Sequence, residues 1–443
     1  MERPGGENVG ERMPVGRVAL ASFVGTAIEW YDFFIYGTAA ALVFGQLFFP
    51  PNENPLLVTL AAFATYAVGF AARPIGGVVF GHFGDRVGRK SMLVITIFMM
   101  GLATFLIGLL PTYAQVGIWA PVLLVVLRLI QGFSVGGEWG GAALMTVEHA
   151  PEGRRGYYGS WTMAASPAGA MLATGAFALV SGLPDEQFLA WGWRVPFLLS
   201  IILVGVGLFI RLRILESPAF ERIKETGTEA RLPVVEAVRE HPRSVLLAAG
   251  MNLGFNAFIF VLFTFMLSYA TTQLGLARGV VLNATVVGGA VQVVSVLAFS
   301  ALSDRVGRRP VMLAGAAFLA LYAFPLFWLV NTGSPAAIFL AIAIGFLGSA
   351  AIFGPMAAFI SESFGTRVRY SGASLGYQMG AVLGGGLSPF IATALLAWSG
   401  GASWSVSAYL VLVALVSFVS VYLLAETYRN ELPGAEKEDA AVT

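Results

Sequence analysis

The sequence predicts an all-α polytopic membrane protein with twelve transmembrane helices in two six-helix bundles. Three observations predict it. Hydrophobic residues make up 57% of the 443 residues and charged ones only 12%, with a mean hydropathy of +0.78. A soluble domain is about 25% charged, so a chain this poor in charge cannot cover a water-facing surface. Twelve apolar segments each reach the ~20 residues that a bilayer crossing needs. Finally, Asp85-Arg86-Val87-Gly88-Arg89 recurs as Asp304-Arg305-Val306-Gly307-Arg308. Both copies fall in short charged gaps, nearly half the chain apart, as expected of two similar halves with a working site between them.

The first six crossings read as 18–46, 56–81, 91–111, 119–148, 157–182 and 193–212. The second six read as 244–272, 279–302, 311–331, 335–363, 370–398 and 403–425. Gly and Pro recur inside them, as membrane helices tolerate. Gly136-Gly137 and Gly140-Gly141 in the fourth, and Gly384-Gly385-Gly386 in the eleventh, allow close helix approach. The domain boundaries follow: a cytoplasmic N-terminal segment 1–17, a bundle 18–212, a polar linker 213–243, a bundle 244–425 and a cytoplasmic tail 426–443. The linker carries Pro218, Pro233 and Pro242 and is expected to hold a short surface helix.

With the N-terminus inside, all but four of the 26 Lys and Arg residues fall on the cytoplasmic side. The exceptions are Arg73, Arg128, Arg194 and Arg278, the last two near the outer interface. That asymmetry sets the expected orientation, with both termini cytoplasmic. Residues 1–17 are polar and do not read as a cleaved signal peptide. The absence of cysteine excludes disulfides and thiol catalysis. No G-x-x-x-x-G-K-[ST] phosphate loop and no H-E-x-x-H occurs, which argues against ATP-driven pumping and metalloprotease chemistry. His82, His149 and His241 all fall in the cytoplasmic set and do not suggest a metal site. No cofactor, no metal and no nucleic acid is expected; the partners are a small metabolite, protons and the lipid bilayer, and the chain is expected to act as a monomer.

Residues Gly81 to Lys90 have the form G-x-x-x-D-R-x-G-R-K, and the second copy fits except that Ser300 replaces the first glycine. This resembles the signature loop of the major facilitator superfamily. Further stretches narrow the likeness: Ala27 to Gly37, Ala72 to Gly77, Arg128 to Phe133, Gly136 to Gly141, Trp191 to Phe197 and Glu216 to Phe220. Together they resemble the metabolite:proton symporter family, which includes transporters for shikimate, α-ketoglutarate, citrate and proline/betaine. The likeness covers about residues 15–425; the proline/betaine members differ in carrying a long helical C-terminal extension. It implies a cytoplasmic gate built from Asp85, Arg86 and Arg89 and from Asp304, Arg305 and Arg308. Glu148 with Arg154, and Glu362 with Arg367, occupy the inner ends of the fourth and tenth crossings and extend that gate. Positive-inside topology alone would require cations there, but not an ordered Asp and Gly.

An ionisable group at bilayer depth is costly unless paired, so it is a functional candidate. The interior set is Glu29, Asp32, Arg73, Arg128 and Glu138, all in the first half. Depths counted at ~1.5 Å per helical residue suggest two groupings: Glu29, Arg73 and Glu138 nearer the cytoplasm, and Asp32 with Arg128 nearer the middle. Glu29, Asp32 and Tyr36 share a face by their spacing. Asp32 is the expected proton-coupling carboxylate and Arg128 its partner, with Arg73, Glu29 and Glu138 in support. A structural ion pair between the first and fourth crossings is the alternative.

Polar and aromatic residues at mid-depth form the candidate substrate pocket: Trp30, Tyr36, Gln131, Trp161, Asn252, Asn256, Tyr377 and Gln378. If both arginines have acid partners, a singly charged organic acid, a zwitterion or a neutral polyol-like acid suits the site better than a tricarboxylate. The expected function is import of such a metabolite by proton symport through alternating access, in the inner membrane of a prokaryote. A proton-coupled exporter of the same fold is the rival. An intramembrane enzyme or receptor would need a nucleophile–base set or a large soluble domain, and neither is visible.

Overall fold

In the computed structural model, residues 15–51, 54–87, 89–136, 146–147, 150–151, 153–213, 239, 242–363 and 369–428 are described. Helix α1 runs Val15–Ala39 and continues through a π-helical turn, Ala40–Phe44, into Gly45–Phe48. Then follow α2 (Pro55–Val87), α3 (Arg89–Leu109), α4 (Trp119–Val135) and α5 (Arg155–Val180). Helix α6 comprises Asp185–Gln187, a π-turn Phe188–Gly192, and Arg194–Arg213. Helix α7 comprises Pro242–Phe260, a π-turn Val261–Phe265, and Met266–Thr272. Next come α8 (Arg278–Val306), α9 (Arg308–Val330) and α10 (Pro335–Ser363). Helix α11 comprises Arg369–Gly380, a π-turn Ala381–Gly386, and Ser388–Trp398; α12 is Trp404–Leu423.

Ten of these described helices are long and apolar enough to cross a membrane, and 94–109 and 119–135 are shorter apolar stretches of the same kind. Large apolar side chains such as Leu179, Leu321 and Trp398 face outward, a surface that lipid rather than water can cover. Prolines 74, 167, 325 and 355 lie inside helices, where packing against neighbours makes good the lost backbone bonds.

The duplication is visible in the packing. In the first half α1 packs on α5, α2 on α4, and α3 on α6. In the second half α7 packs on α11, α8 on α10, and α9 on α12, the same pairings shifted by six. Between the halves α5 packs on α8 and α2 on α11, again equivalent pairs, while α1 meets α7 through their π-turns. The Asp-Arg-Val of each repeated motif continues its helix, α2 or α8, to the last residue, so the motif is a helix end more than a loop. Gly307 makes the break after α8 with φ +107°, a conformation that L side chains rarely adopt.

The π-turns are the main departure from the sequence expectation. Each inserts an extra residue into one turn, which leaves no mark on a purely apolar pattern. The linker 214–238 and its expected surface helix lie outside the described residues, as do Gly137, Gly140, Gly141, Glu138, Glu148 and Arg367. Asp85, Arg86 and Arg89 lie on described backbone, with their side chains outside the description.

Candidate functional site

Helices α2 and α4 approach until their backbones touch, because glycines face one another. A Cβ on Gly132 would run into the Gly69 carbonyl, and one on Gly136 into the Arg73 carbonyl. Gly69 also leaves room for the Arg128 side chain. This close approach sets Arg73 and Arg128, one from each helix, against a single α1 side chain. Their guanidinium carbons lie 4.1 and 4.3 Å from the centroid of the Phe33 ring.

The two cations share an aromatic cage. Arg73 also lies over Phe70 at 4.4 Å and Trp30 at 5.6 Å, and Arg128 over Tyr36 at 4.2 Å and Tyr66 at 4.6 Å. Both arginines are buried, 1% and 0% exposed. Cation–π contacts stabilise each by about 0.5–2 kcal/mol. The N–H donors still need hydrogen-bond partners. Arg128 Nη1 donates to Gln131 Oε1 at 3.1 Å, and Gln131 Nε2 donates to Thr104 Oγ1 at 2.7 Å. Nε and Nη2 of Arg73 have no hydrogen-bond partner among the described residues, and those of Arg128 make none of good geometry, although the Tyr66 hydroxyl lies beside Arg128. Each such buried donor costs ~1–3 kcal/mol. The two charges repel as well: since both sit on one ring, they are no farther apart than the two centroid distances together, and at ~8 Å that repulsion is roughly 2 kcal/mol for an effective dielectric of 20.

The expected pairing of Asp32 with Arg128 is not formed. Among the described residues no carboxylate lies within ion-pair distance of either arginine. Asp32 is buried on α1, and its Oδ1 has no partner there. The physical reason is helical phase: Phe33, one residue on, occupies the face that α2 and α4 present, and it carries the cations instead. The predicted Asp32–Arg128 grouping is thus replaced by an arginine pair with a separate carboxylate, while the grouping of Glu29, Arg73 and Glu138 includes a residue outside the described ones. Glu29 is buried and engaged in an interaction of its own.

Most of the predicted pocket residues converge around this cage. Trp30 packs on Phe33 and Phe34, and Tyr36 donates to Thr65 Oγ1 at 2.7 Å. From the second half, Tyr377 is an electrostatic neighbour of Arg73. Gln378 reaches across to donate to the Gly136 carbonyl at 3.2 Å, leaving its Oε1 without a partner among the described residues. Asn252 donates to the Tyr377 carbonyl at 2.7 Å, and Asn256 donates to Asn252. Both therefore shape the α7–α11 wall. Trp161 packs instead on Phe23 and Tyr157. Phe33, Tyr66, Phe70, Phe260 and Thr264 belong to the site and are absent from the sequence prediction. In a chain with 34 Phe, nothing local distinguishes them.

The halves are clasped at both ends of α5 by groups from α8. At the motif end, Asp304 accepts hydrogen bonds from the Gly156 and Tyr157 amides at 2.8 and 2.9 Å. This caps the N-terminus of α5 from the opposite half, where a carboxylate complements the helix dipole. Buried Arg308 pairs with Asp304 at 2.5 Å and with Glu362 at 3.2 Å. Glu426 accepts from the Arg308 and Arg309 amides, each at 3.0 Å, and the Thr427 hydroxyl donates to Glu362 at 2.7 Å. Arg308 and Glu362 thus brace the second half, Glu362 also lying within electrostatic reach of Arg155 on α5, and Asp304 makes the hydrogen-bonded link between halves. Arg154 and Arg305 are exposed.

At the far end Arg278, the first residue of α8, donates to the Ser181 carbonyl at 3.2 Å and the Leu183 carbonyl at 2.7 Å, and pairs with Asp185. A cation there complements the C-terminus of α5. The two ends of one helix dipole are therefore held by opposite charges from one helix of the other half. The sequence placed Arg278 near the outer interface without a partner.

Comparison with known proteins fits this construction. The family model "Major Facilitator Superfamily" matches residues 22–377. The chain is 44% identical to the shikimate transporter of Escherichia coli strain K12 over 417 residues, covering 93% of this chain and 95% of that one. It is 40% identical to the inner membrane metabolite transport protein YhjE of the same strain, covering 94% and 95%. It is 36% identical to the proline/betaine transporter of Salmonella typhimurium, covering 94% of this chain and 84% of that one. Among solved structures, a partially occluded inward-open form of the xylose transporter XylE from E. coli superposes with a TM-score of 0.72 at 17% identity, covering 94% and 99%. That structure shares the fold. With its repeated helix pairings, its doubled motif and these relatives, the chain belongs to the major facilitator superfamily, in the metabolite-transporter family, and is a transporter rather than an enzyme.

Proposed function

We propose that this transporter imports a small organic acid or zwitterionic metabolite together with protons, through alternating access. The supporting observation is Asp32, an ionisable side chain buried at mid-helix in α1 and held apart from the arginines. Intramembrane carboxylates of this kind mark proton pathways. In this reading Asp32 carries the proton. Arg128, whose cage partner Phe33 is the next residue along α1, is the cation that Asp32 senses when α1 shifts between states. Arg73, Glu29 and Glu138 complete the charged interior. The orientation places the motif end in the cytoplasm and both termini with it, in the inner membrane of a bacterium, as the name of the YhjE relative states for that protein. The first bundle (18–212), the linker (213–243) and the second bundle (244–425) act as rocking units. Asp304 with Asp85, Arg86 and Arg89 closes the cytoplasmic side, and Arg278 closes the outer side.

Asp32→Asn tests the coupling. In proteoliposomes with an imposed pH gradient, the variant is expected to exchange labelled for unlabelled substrate while failing to accumulate it, the inside-to-outside ratio staying at unity. Accumulation at the wild-type level would remove Asp32 from the proton path. Substrate that leaves rather than enters as protons flow inward would favour the exporter.

The outer clasp gives a second test. Asp185 is largely exposed, so its ion pair contributes little; the two carbonyl bonds carry the contact. Arg278→Ala should shift the balance about fivefold toward states open at the outer face, from ~1 kcal/mol lost. The chain has no cysteine, so a lone thiol introduced as Gly279→Cys, beside Ser181, reports this through its labelling rate with an impermeant maleimide. An unchanged rate counts against the clasp.

A further inference from the structure

We propose that Thr104 of α3 is a positioning residue for proton coupling: acting through Gln131, it ties the Arg128 guanidinium to the α3–α4 pair while α1 moves. The inference rests on the transporter reading above, in which Asp32 on α1 senses Arg128. It adds a side chain from a helix to which that reading gives no part.

Hydrogen-bond direction carries the argument. Thr104 Oγ1 donates its one proton to the Met100 carbonyl at 2.9 Å. Toward Gln131 it can then only accept, and it takes a hydrogen from Nε2 at 2.7 Å. That holds the Gln131 amide in one of its two orientations, with Oε1 turned to Arg128 Nη1 at 3.1 Å. A guanidinium has no acceptor, so the opposite orientation sets donor against donor at Arg128. Thr104, Gln131 and Arg128 are all buried, where a lost partner is costly. Gln131, expected among the substrate contacts, thus has both ends of its amide engaged and serves Arg128 instead.

Arg128 needs an anchor of this kind because its cage spans helices. Phe33 and Tyr36 belong to α1, which packs along α5, and Tyr66 belongs to α2. Ring contacts tolerate sliding, so they draw a long, flexible side chain along with α1. An arginine that travels with α1 keeps its place relative to Asp32, and Asp32 then registers no change of state. The relay opposes this. It runs from Arg128 and Gln131, one turn apart on α4, to Thr104 and Met100, one turn apart on α3, and it ends on backbone. Its bonds depend steeply on angle and distance, so they fix where the cation sits as well as which groups it meets.

The test is the steady-state accumulation ratio in proteoliposomes of the full chain under an imposed pH gradient, with labelled shikimate and labelled proline as probes. Thr104→Val keeps nearly the same shape and loses the hydroxyl. It is expected to lower the ratio roughly threefold, from one neutral hydrogen bond lost, and Gln131→Leu about tenfold, from one charged bond lost. Thr104→Ser restores the hydroxyl and should restore the ratio. In the Gln131→Leu background Thr104→Val should cause no further fall, because the two act in series. A residue that only supports the fold lowers the amount of active protein and leaves the final ratio of the remainder unchanged. A wild-type ratio in Thr104→Val, equal falls in the Val and Ser variants, or additive falls in the double variant overturns the relay. Failure of the transport reading looks different: wild-type vesicles accumulate neither probe, or Asp32→Asn accumulates as the wild type does, and the relay falls with it. A relay that fails alone leaves Asp32→Asn unable to accumulate and Thr104→Val unaffected.

Discussion

Gly132→Leu is expected to remove most folded protein from the membrane. The Cβ of any residue there would run into the Gly69 carbonyl on α2, and backbone cannot rotate aside as a side chain can. Overpacking a tight interface costs about 1–3 kcal/mol and more where backbone blocks it. A loss near 3 kcal/mol corresponds to a fall in Tm of roughly 3 °C for a chain of 443 residues that melts as one unit. Separating α2 from α4 would also pull Arg73 and Arg128 off their shared ring, so whatever protein remains should transport poorly. Gly205→Leu is the control, since nothing lies within 4 Å of that position. Equal melting of the two variants, measured in the same detergent, would mean that the glycine contact does not limit stability.

Asp304→Ala is expected to open the motif end. The carboxylate accepts two backbone bonds from α5 and holds buried Arg308. Loss of a helix cap costs about 0.5–2 kcal/mol, and weakening a charged bond about 1.5–3 kcal/mol. Part of the second term is retained through Glu362, so a net loss of about 1–3 kcal/mol is expected for the closed state, an approximately 5–150-fold shift in the balance. The effect is larger than that of Arg278→Ala because the Asp304–Arg308 ion pair is buried, whereas the Asp185 partner of Arg278 is largely exposed. A lone thiol at Ala357→Cys reports it, since Ala357 is buried on α10 opposite Gly159 of α5. Faster labelling from the motif side and slower uptake are the expected pair of results. Unchanged labelling would mean that Asp304 braces α8 without gating.

Glycine carries more of the site than the sequence suggested. The pairs in the fourth crossing read as sites of close approach; Gly136 is such a site, and Gly132, outside those pairs, is another. What could not be read was the consequence, that two arginines from adjacent helices are delivered to one ring. Similarly, the glycine run 384–386 reads as a packing device, and it forms a π-turn seated on Phe70 across the halves. The expected Asp32–Arg128 pair failed for a related reason. Counting depth along a helix fixes height but not rotation, and a one-residue difference in phase exchanged Asp32 for Phe33 as the neighbour of Arg128.

The sequence by itself determined the twelve apolar crossings and the duplication, because these are written in composition and repeat, which depend on no contact between distant residues; the family came from the resemblance of its loop motifs. It also named Arg73, Arg128 and Asp32, because charge at bilayer depth is rare enough to stand out. The tertiary structure alone decided who meets whom: both arginines on Phe33, Asp304 on the start of α5, Arg278 on its end. Those contacts join residues up to 148 positions apart, and they depend on helix rotation and on the space left by glycines, neither of which an apolar pattern records.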